Sequence, residues 1–112
     1  MSFDEQMVKG SVSIMLLSLL GKADMYGYQM IQELALLSDN VFEFKEGTLY
    51  PLLRALEKKA LVESYWENTV KLRKRRYYHI TEKGIRHLET KRQEWSDFSK
   101  TVNKILEGSQ NA

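Results

Sequence analysis

The chain has 112 residues and a formal net charge of +2, and its 43% hydrophobic content is typical of one folded domain rather than a disordered chain. Cysteine is absent, which excludes a disulfide framework and thiolate metal sites, and we expect a cytoplasmic protein. The most apolar stretch, Ser11 to Leu20, is about half the ~20 residues that a membrane helix needs, so neither a membrane anchor nor a signal peptide is expected.

Two helices are predicted before residue 41. Apolar residues recur at helical spacing from Met7 to Leu20, which predicts a largely buried first helix ending near Gly21. Asp24 is expected to cap the second helix, and Gly27 to permit a close helix crossing. The expected inner face of the second helix consists of Tyr28, Ile31, Leu34, Ala35 and Leu37.

A third helix is predicted to begin near Thr48, because Pro51 is best tolerated in a first turn. An extended connector that buries Phe42 and Phe44 should precede it. Its expected inner side consists of Leu49, Leu52, Leu53, Leu56 and Ala60, and its outer side of Tyr50, Arg54 and Lys58, with Thr48 and Pro51 near the start.

The next segments, Leu61 to Glu67 and Arg75 to Ile80, read as two antiparallel strands, and we call this hairpin with its turn the wing. Five of the six residues from Lys71 to Arg76 are basic. Residues 47–112 hold fourteen Lys and Arg against eight acids, whereas residues 1–46 hold three against seven. The basic end of the chain is therefore the end that carries the wing, where a phosphate backbone is within reach.

Thr81 is expected to cap a long last helix from Glu82 to about Glu107. Its apolar residues form a heptad-like seam, and a helix of roughly 25 residues is close to 40 Å long, more than one small domain covers. The seam predicts a homodimer with the first helix in the interface; the alternative is a helix that folds back on its own core. The seam residues are Ile85, Leu88, Trp95, Phe98, Val102 and Ile105.

No enzymatic chemistry is predicted. His79 and His87 are neither at metal-ligand spacing nor beside a nucleophile, and the sequence contains no phosphate-binding loop, zinc-protease or esterase motif. We expect no catalytic residue, no metal and no cofactor.

The predicted order is three helices, two strands and a long helix. In this order the second and third helices form a helix-turn-helix, with the third as the recognition helix, and the strands form the wing. At this point the sequence resembles the PadR-like transcriptional regulators. The resemblance rests on Leu16-Leu17 to Leu20, Tyr26-Gly27-Tyr28, Glu46 to Pro51 with Leu53 and Leu56-Glu57, Tyr65-Trp66, and Arg75 to Tyr78 with Thr81 and Gly84. Two departures are Ala60 in place of the glycine usual after the recognition helix, and a wing lacking the usual Gly and Pro.

The resemblance implies a mainly α fold with a small β-hairpin (α+β), a winged helix-turn-helix with a long C-terminal dimerisation helix. The expected division is a DNA-binding domain over residues 1–80, a dimerisation helix over 81–108 and a frayed tail over 109–112. The implied function is a homodimeric repressor on a pseudo-palindromic operator of its own or a neighbouring operon.

Physical reasoning then divides the contacts with double-stranded DNA. The start of the third helix should enter the major groove, with Arg54 able to pair with guanine, while cations of the wing should contact phosphates or a narrow minor groove. Arg76 is expected to be structural. The candidate DNA-binding residues are Gly47, Thr48, Tyr50, Pro51, Arg54, Lys71, Arg73, Lys74 and Arg75.

Some members of the family release DNA when an apolar or aromatic ligand, such as a drug or a phenolic compound, binds at the dimer interface. Such a pocket would form here from Trp95 and Phe98 with Met15 of the first helix. The candidate ligand and dimer-interface residues are Met15, Leu88, Trp95, Phe98, Val102 and Ile105. The competing functions are a winged-helix module that binds a protein partner and an architectural DNA binder without sequence preference.

Overall fold

The structure, a computed structural model, describes residues 5–70 and 73–110. Within these ranges it contains four helices and an antiparallel sheet with strand order β1-β3-β2. The predicted α+β class, with a winged helix-turn-helix and a long C-terminal helix, is confirmed. The elements are α1 (Glu5–Lys22), β1 (Met25–Tyr26), α2 (Gly27–Leu37), α3 (Glu46–Lys58), β2 (Val62–Asn68), β3 (Lys74–Ile80) and α4 (Glu82–Gln110).

One apolar core holds α1, α2, α3 and the sheet together. Successive leucines of α1 are buried on several sides of the helix, because α2, the sheet and α4 all pack around its second half. No polar or charged residue of the described ranges is fully buried. The most deeply buried side chains are Val12, Leu16, Leu17, Leu20, Met30, Leu49, Leu53 and Val62.

The strand β1 was not predicted, and it corrects the expected role of Asp24. Met25 and Tyr26 pair with Tyr78 and Tyr77 of β3, so α2 begins only at Gly27. Tyr26 therefore occupies the cap position, where no side chain bonds to the helix, and the prediction of an Asp24 cap was wrong.

The inner face of α2 agrees with the prediction at Leu34 and is displaced from it elsewhere. Gly27, Met30 and Leu34 are buried, whereas Tyr28 and Leu37 are 51% and 60% exposed. The buried residues recur at i, i+3 and i+7, a face rotated by one residue from the prediction. The rotation follows from the contact of Gly27 with α3, described below.

The end of α3 explains how the chain does without the expected glycine. Ala60, predicted on the inner side of the helix, is exposed and has a φ of 60°. Its backbone N–H donates to the Glu57 carbonyl at 2.9 Å, and that of Leu61 donates to the Leu56 carbonyl at 3.0 Å, the pair of hydrogen bonds of a Schellman cap. Alanine thus fills a left-handed position that glycine fills without strain, at a cost of roughly 1 kcal/mol.

The predicted cap of the last helix is confirmed. The backbone N–H of Gly84 donates to the Thr81 hydroxyl at 3.0 Å, while that hydroxyl donates to the Ala60 carbonyl at 2.7 Å. Thr81 therefore joins the start of α4 to the end of α3. From there α4 runs for 29 residues, about 44 Å at 1.5 Å per residue.

Candidate nucleic-acid interface

The exposed side of α3 carries four of the predicted contact residues, which we call the α3 row. Regular helix starts at Glu46, two residues before the predicted start, so Pro51 falls in the second turn. Leu49, Leu53 and Leu56 are buried on the opposite side. The α3 row consists of Gly47, Thr48, Pro51 and Arg54, all exposed.

Tyr50 has a different environment from the α3 row. It is half-buried, and its ring lies so close to Gly27 of α2 that a Cβ added to Gly27 would come within 2.8 Å of the Tyr50 hydroxyl oxygen. The expected close crossing at Gly27 is therefore confirmed. Burial, together with the charge of Glu46, raises the pKa of Tyr50 above its ordinary value, so the hydroxyl is a proton donor at neutral pH.

The wing presents its cations at the far end of the hairpin. The strands pair from Val62 opposite Ile80 to Asn68 opposite Lys74, and the Thr69 backbone N–H donates to the Arg73 carbonyl at 2.8 Å to close the turn. Arg73 and Lys74 are exposed and form no ion pair within the described ranges. Lys71, the first residue of the basic run, lies outside the described residues.

Alternation along β3 separates the remaining basic residues. Arg75 is on the outer face of the sheet, where its guanidinium carbon lies 4.4 Å from the centre of the Tyr26 ring. Arg76 is on the same face as the buried Tyr78, toward α3. Of the described wing cations expected to contact DNA, which are Arg73, Lys74 and Arg75, Arg75 is thus the one already held by a cation–π contact.

Arg76 links the wing to α3, in agreement with the structural role expected for it. Its Nε donates to the Ser64 hydroxyl at 2.9 Å, and an Nη lies 3.4 Å from a Glu57 carboxylate oxygen. The Ser64 hydroxyl donates to the same carboxylate at 2.8 Å. Glu57 and Arg76 are 19 residues apart, so no local sequence pattern indicates this contact.

The outer face of the sheet contains a second group that sequence reasoning missed. Asp24 accepts a hydrogen bond from the Tyr65 hydroxyl at 2.7 Å and lies 2.7 Å from the His79 ring nitrogen Nδ1. Tyr65 stacks on Tyr77, with 5.8 Å between ring centres. We call Asp24, Tyr65 and His79 the clasp, because these three residues join the segment before α2 to both strands of the wing.

Electrostatics of the clasp follow from the carboxylate. Burial alone would raise the pKa of Asp24, but hydrogen bonds to Tyr65 and His79, with the charge of His79, outweigh it and the pKa lies below its ordinary value. The hydrogen bond from Tyr65 to Asp24 raises the pKa of Tyr65 to about 12, since ionisation of the phenol would place its negative charge beside the Asp24 carboxylate.

A tyrosine titration tests the clasp. Tyr65 should keep its proton until about pH 12, and Asp24→Asn should return its pKa toward the ordinary value of 10, because the charged acceptor is gone. A raised pKa stabilises the fold fully below pH 10, and this stabilisation is lost as the pH rises through about 12. Titration of tyrosine 13Cζ NMR shifts, assigned with Tyr65→Phe, gives the measurement. Ionisation of wild-type Tyr65 near pH 10 would contradict the hydrogen bond.

The seam of α4 is largely uncovered. Leu88 is buried against α1, but Trp95, Phe98 and Ile105 are 51%, 65% and 64% exposed, and Val102 is half-buried. Trp95 and Phe98 line one wall of a groove of about 690 Å³ between α1 and α4, and Asp97 also lines it.

Met15 does not belong to that groove within one chain. Ile14 is the apolar α1 side chain beside Trp95 and Phe98, whereas Met15 lines a separate groove with Leu34 and Phe42. Consecutive residues of a helix are about 100° apart, so these two neighbours on α1 face different elements. The expected grouping of Met15 with Trp95 is therefore not present in the single chain.

No helix within residues 5–70 and 73–110 is both long and apolar enough to cross a membrane. No group of three or more His, Cys, Asp or Glu residues there is arranged to hold a metal ion.

Comparisons with known proteins agree with the geometry. The sequence model of the transcriptional regulator PadR-like family matches residues 16–90. The fold is similar to a transcriptional regulator from Clostridium thermocellum, with a TM-score of 0.83, 35% identity, and 89% of this chain and 97% of that chain covered. It is also similar to a PadR-like transcriptional regulator from Bacillus cereus, with a TM-score of 0.79 and 35% identity. That alignment covers 91% of this chain and 97% of the other. An uncharacterised protein from Lysinibacillus sphaericus is 34% identical over 101 residues, which are 90% of this chain and 93% of that protein.

Proposed function

This chain belongs to the PadR-like family of transcriptional regulators, and from that premise we propose that it is a cytoplasmic, homodimeric repressor of its own or a neighbouring operon. The observation that carries the proposal is the α3 row, an exposed helix edge flanked on the same molecule by the exposed cations Arg73 and Lys74 of the wing. A helix edge of this kind fits the major groove, and hairpin cations beside it fit the phosphates.

The proposed contacts divide into two kinds. Arg54 of the α3 row reads a base, since a guanidinium can donate two hydrogen bonds to guanine, and Thr48 and Pro51 offer small groups to neighbouring base edges. Gly47 allows the backbone to approach closely. Lys71, Arg73, Lys74 and Arg75 contact phosphates and supply affinity with little sequence preference. Tyr50 contributes its hydroxyl to a phosphate from the position that its packing on Gly27 fixes.

Dimerisation accounts for the uncovered seam of α4. Trp95, Phe98 and Ile105 each expose about half or more of their surface along one helix edge. A monomer would leave this stripe in water, whereas an isologous contact between two copies buries it. In this proposal residues 81–108 form the dimerisation helix and residues 1–80 the DNA-binding domain.

Phe98→Asp is expected to separate the dimer. A carboxylate at the most exposed aromatic position of the seam would be buried unpaired, so the dissociation constant should rise by ~100-fold or more. Sedimentation velocity over a concentration series measures it. Asn103→Asp, an exposed residue off the seam, is the matched control and should leave the constant unchanged. Equal dissociation constants for the two variants would contradict the assigned interface.

The groove beside Trp95 supports a regulatory ligand. Its volume of about 690 Å³ is in the range of small-molecule sites, and its apolar wall of Ile14, Trp95 and Phe98 suits an apolar or aromatic compound such as a drug or a phenolic acid. We propose that such a ligand occupies this groove where it borders the dimer interface and releases the operator.

The proposed function is tested by footprinting of the DNA upstream of the gene. A two-fold dimer should protect two segments whose centres are about 34–36 Å apart, one helical turn, or a multiple of that. Uniform protection of the whole fragment would identify an architectural binder instead. Absence of protection even at low salt would contradict DNA binding and favour the alternative function, a winged-helix module that binds a protein partner.

A further inference from the structure

A cleft of about 300 Å³ separates α3 from β3, and its walls are four donor-bearing side chains. Tyr50 and Arg54 come from consecutive turns of α3, and Arg76 and Tyr78 come from the inward face of β3. The alternation of β3 and the i, i+4 spacing of α3 bring them together. We call these residues, Tyr50, Arg54, Arg76 and Tyr78, the α3–β3 cleft.

Two of the donors of the cleft, Arg54 and Tyr78, have no acceptor among the described residues. Arg54 forms no ion pair or side-chain hydrogen bond with another described residue. Tyr78 is only 4% exposed, and its hydroxyl forms no hydrogen bond with another described residue; since no fully buried side-chain oxygen of these residues lacks a partner, the hydroxyl is open to the cleft. Burial raises the pKa of Tyr78, which keeps the proton on the oxygen. Two guanidinium groups and two phenols therefore face one space.

Within the described ranges, Glu57 is the only carboxylate that bonds to a member of the cleft. Its hydrogen bonds to Arg76 are weak. Its oxygens lie 3.4 and 3.5 Å from Arg76 Nη2, long for a charge-assisted hydrogen bond. The stronger contact of Arg76 is the one from Nε to the Ser64 hydroxyl at 2.9 Å, which fixes the guanidinium plane. An incoming anion can therefore replace Glu57 at Nη2 without disturbing the bond to Ser64.

We propose that the α3–β3 cleft binds a backbone phosphate of the operator, which makes Arg76 and Tyr78 DNA contacts in addition to the α3 row. A tetrahedral oxyanion accepts several hydrogen bonds at once, as this set of donors requires. The cleft opens between the α3 row and the wing, so a strand that borders the major groove passes over it. The inference rests on the proposed function and extends it to a residue that otherwise looks purely structural.

The test is the salt dependence of DNA binding for Arg76→Gln, measured by anisotropy with a labelled duplex. Loss of one phosphate contact in each copy of a dimer should lower the slope of log affinity against log salt by about 2. Arg76→Lys, which keeps the charge, should retain most of the slope. Glu57→Gln, which removes the competing charge and keeps an acceptor for Ser64, should raise the affinity by about 3-fold.

Each outcome bears on the inference. An unchanged slope for Arg76→Gln with a lowered melting temperature would assign Arg76 a structural role alone and overturn the phosphate site, while the proposed function would stand. Absence of duplex binding by the wild type at any salt would overturn both. Displacement of the duplex by inorganic phosphate below about 1 mM at constant ionic strength, lost in Arg76→Gln, would assign the cleft to a free phosphate ligand and overturn the operator contact.

Discussion

Gly84→Ala should destabilise the protein by about 3 kcal/mol or more, because the added methyl group would overlap the backbone of another element. A Cβ at Gly84 would lie 2.1 Å from the Leu61 carbonyl oxygen and 2.7 Å from Ile80 Cγ1. The Leu61 carbonyl cannot move away freely, since it accepts a hydrogen bond from the backbone N–H of Thr81 at 3.1 Å. The start of α4 would have to leave the domain.

Thermal and urea denaturation followed by circular dichroism measure the loss, which should lower the melting temperature by on the order of 15 °C for a domain of this size. Gly108→Ala is the control, because no atom lies within 4 Å of a Cβ added there. It should be neutral or slightly stabilising, as alanine is the better helix former. A Gly84→Ala protein within about 0.5 kcal/mol of the wild type would show that the contact between α4 and Leu61 is wrong.

The combined variant Arg73→Ala/Lys74→Ala/Arg75→Ala should lower DNA affinity by at least ~100-fold at ~0.15 M salt. A dimer would lose six cations, and each phosphate contact contributes about 0.9 to the salt slope, so the slope should fall by about 5. Arg75 should account for the smallest share, because its guanidinium is held 4.4 Å from the centre of the Tyr26 ring on the outer face.

The matched control removes the same number of charges from exposed positions of α4, with Arg86→Ala/Lys100→Ala/Lys104→Ala. Net charge then falls equally in both proteins, and only local contacts differ. The control should bind within about 3-fold of the wild type. An equal loss of DNA affinity in the two variants would show that the wing cations act only through the net charge of the protein and form no specific contacts with DNA.

Periodicity explains why most of the fold could be predicted. The leucines of α1 and α3 recur at helical spacing, and the strands of the wing alternate, so their type and approximate bounds follow from the sequence. The strand β1 has two residues, too few for any period, and it exists only because β3 offers an edge. Its absence from the prediction also misplaced Asp24, a residue type with a strong preference for helix caps.

Packing between elements decided the remaining differences. The inner face of α2 is rotated by one residue from the prediction, because α2 packs on α3 at Gly27. There the Tyr50 ring occupies the space that a side chain at position 27 would take. Ala60 adopts a left-handed conformation because the Schellman hydrogen bonds at the end of α3 require it. Neither effect has a local signal, since each depends on a neighbour brought into contact by the fold.

The candidate interface was predictable to the same extent. The exposed residues of α3 follow from the buried ones by helical geometry, and the cations of the wing are visible as a run. The α3–β3 cleft was not predictable, because it requires the register of β3 relative to α3. Within the single chain Met15 and Trp95 line different grooves, as a one-residue step on α1 selects a different neighbour, and their grouping at a dimer interface stays a prediction.

Fluorescence anisotropy of the purified protein with a duplex from upstream of its own gene and with a scrambled duplex, over a salt series, tests the proposed repression. Tight, salt-sensitive binding with a preference of at least ~1000-fold for the upstream duplex is expected, since specific sites exceed non-specific ones by this factor or more. Equal and weak binding of the two duplexes would contradict sequence-specific repression of its own gene by this chain.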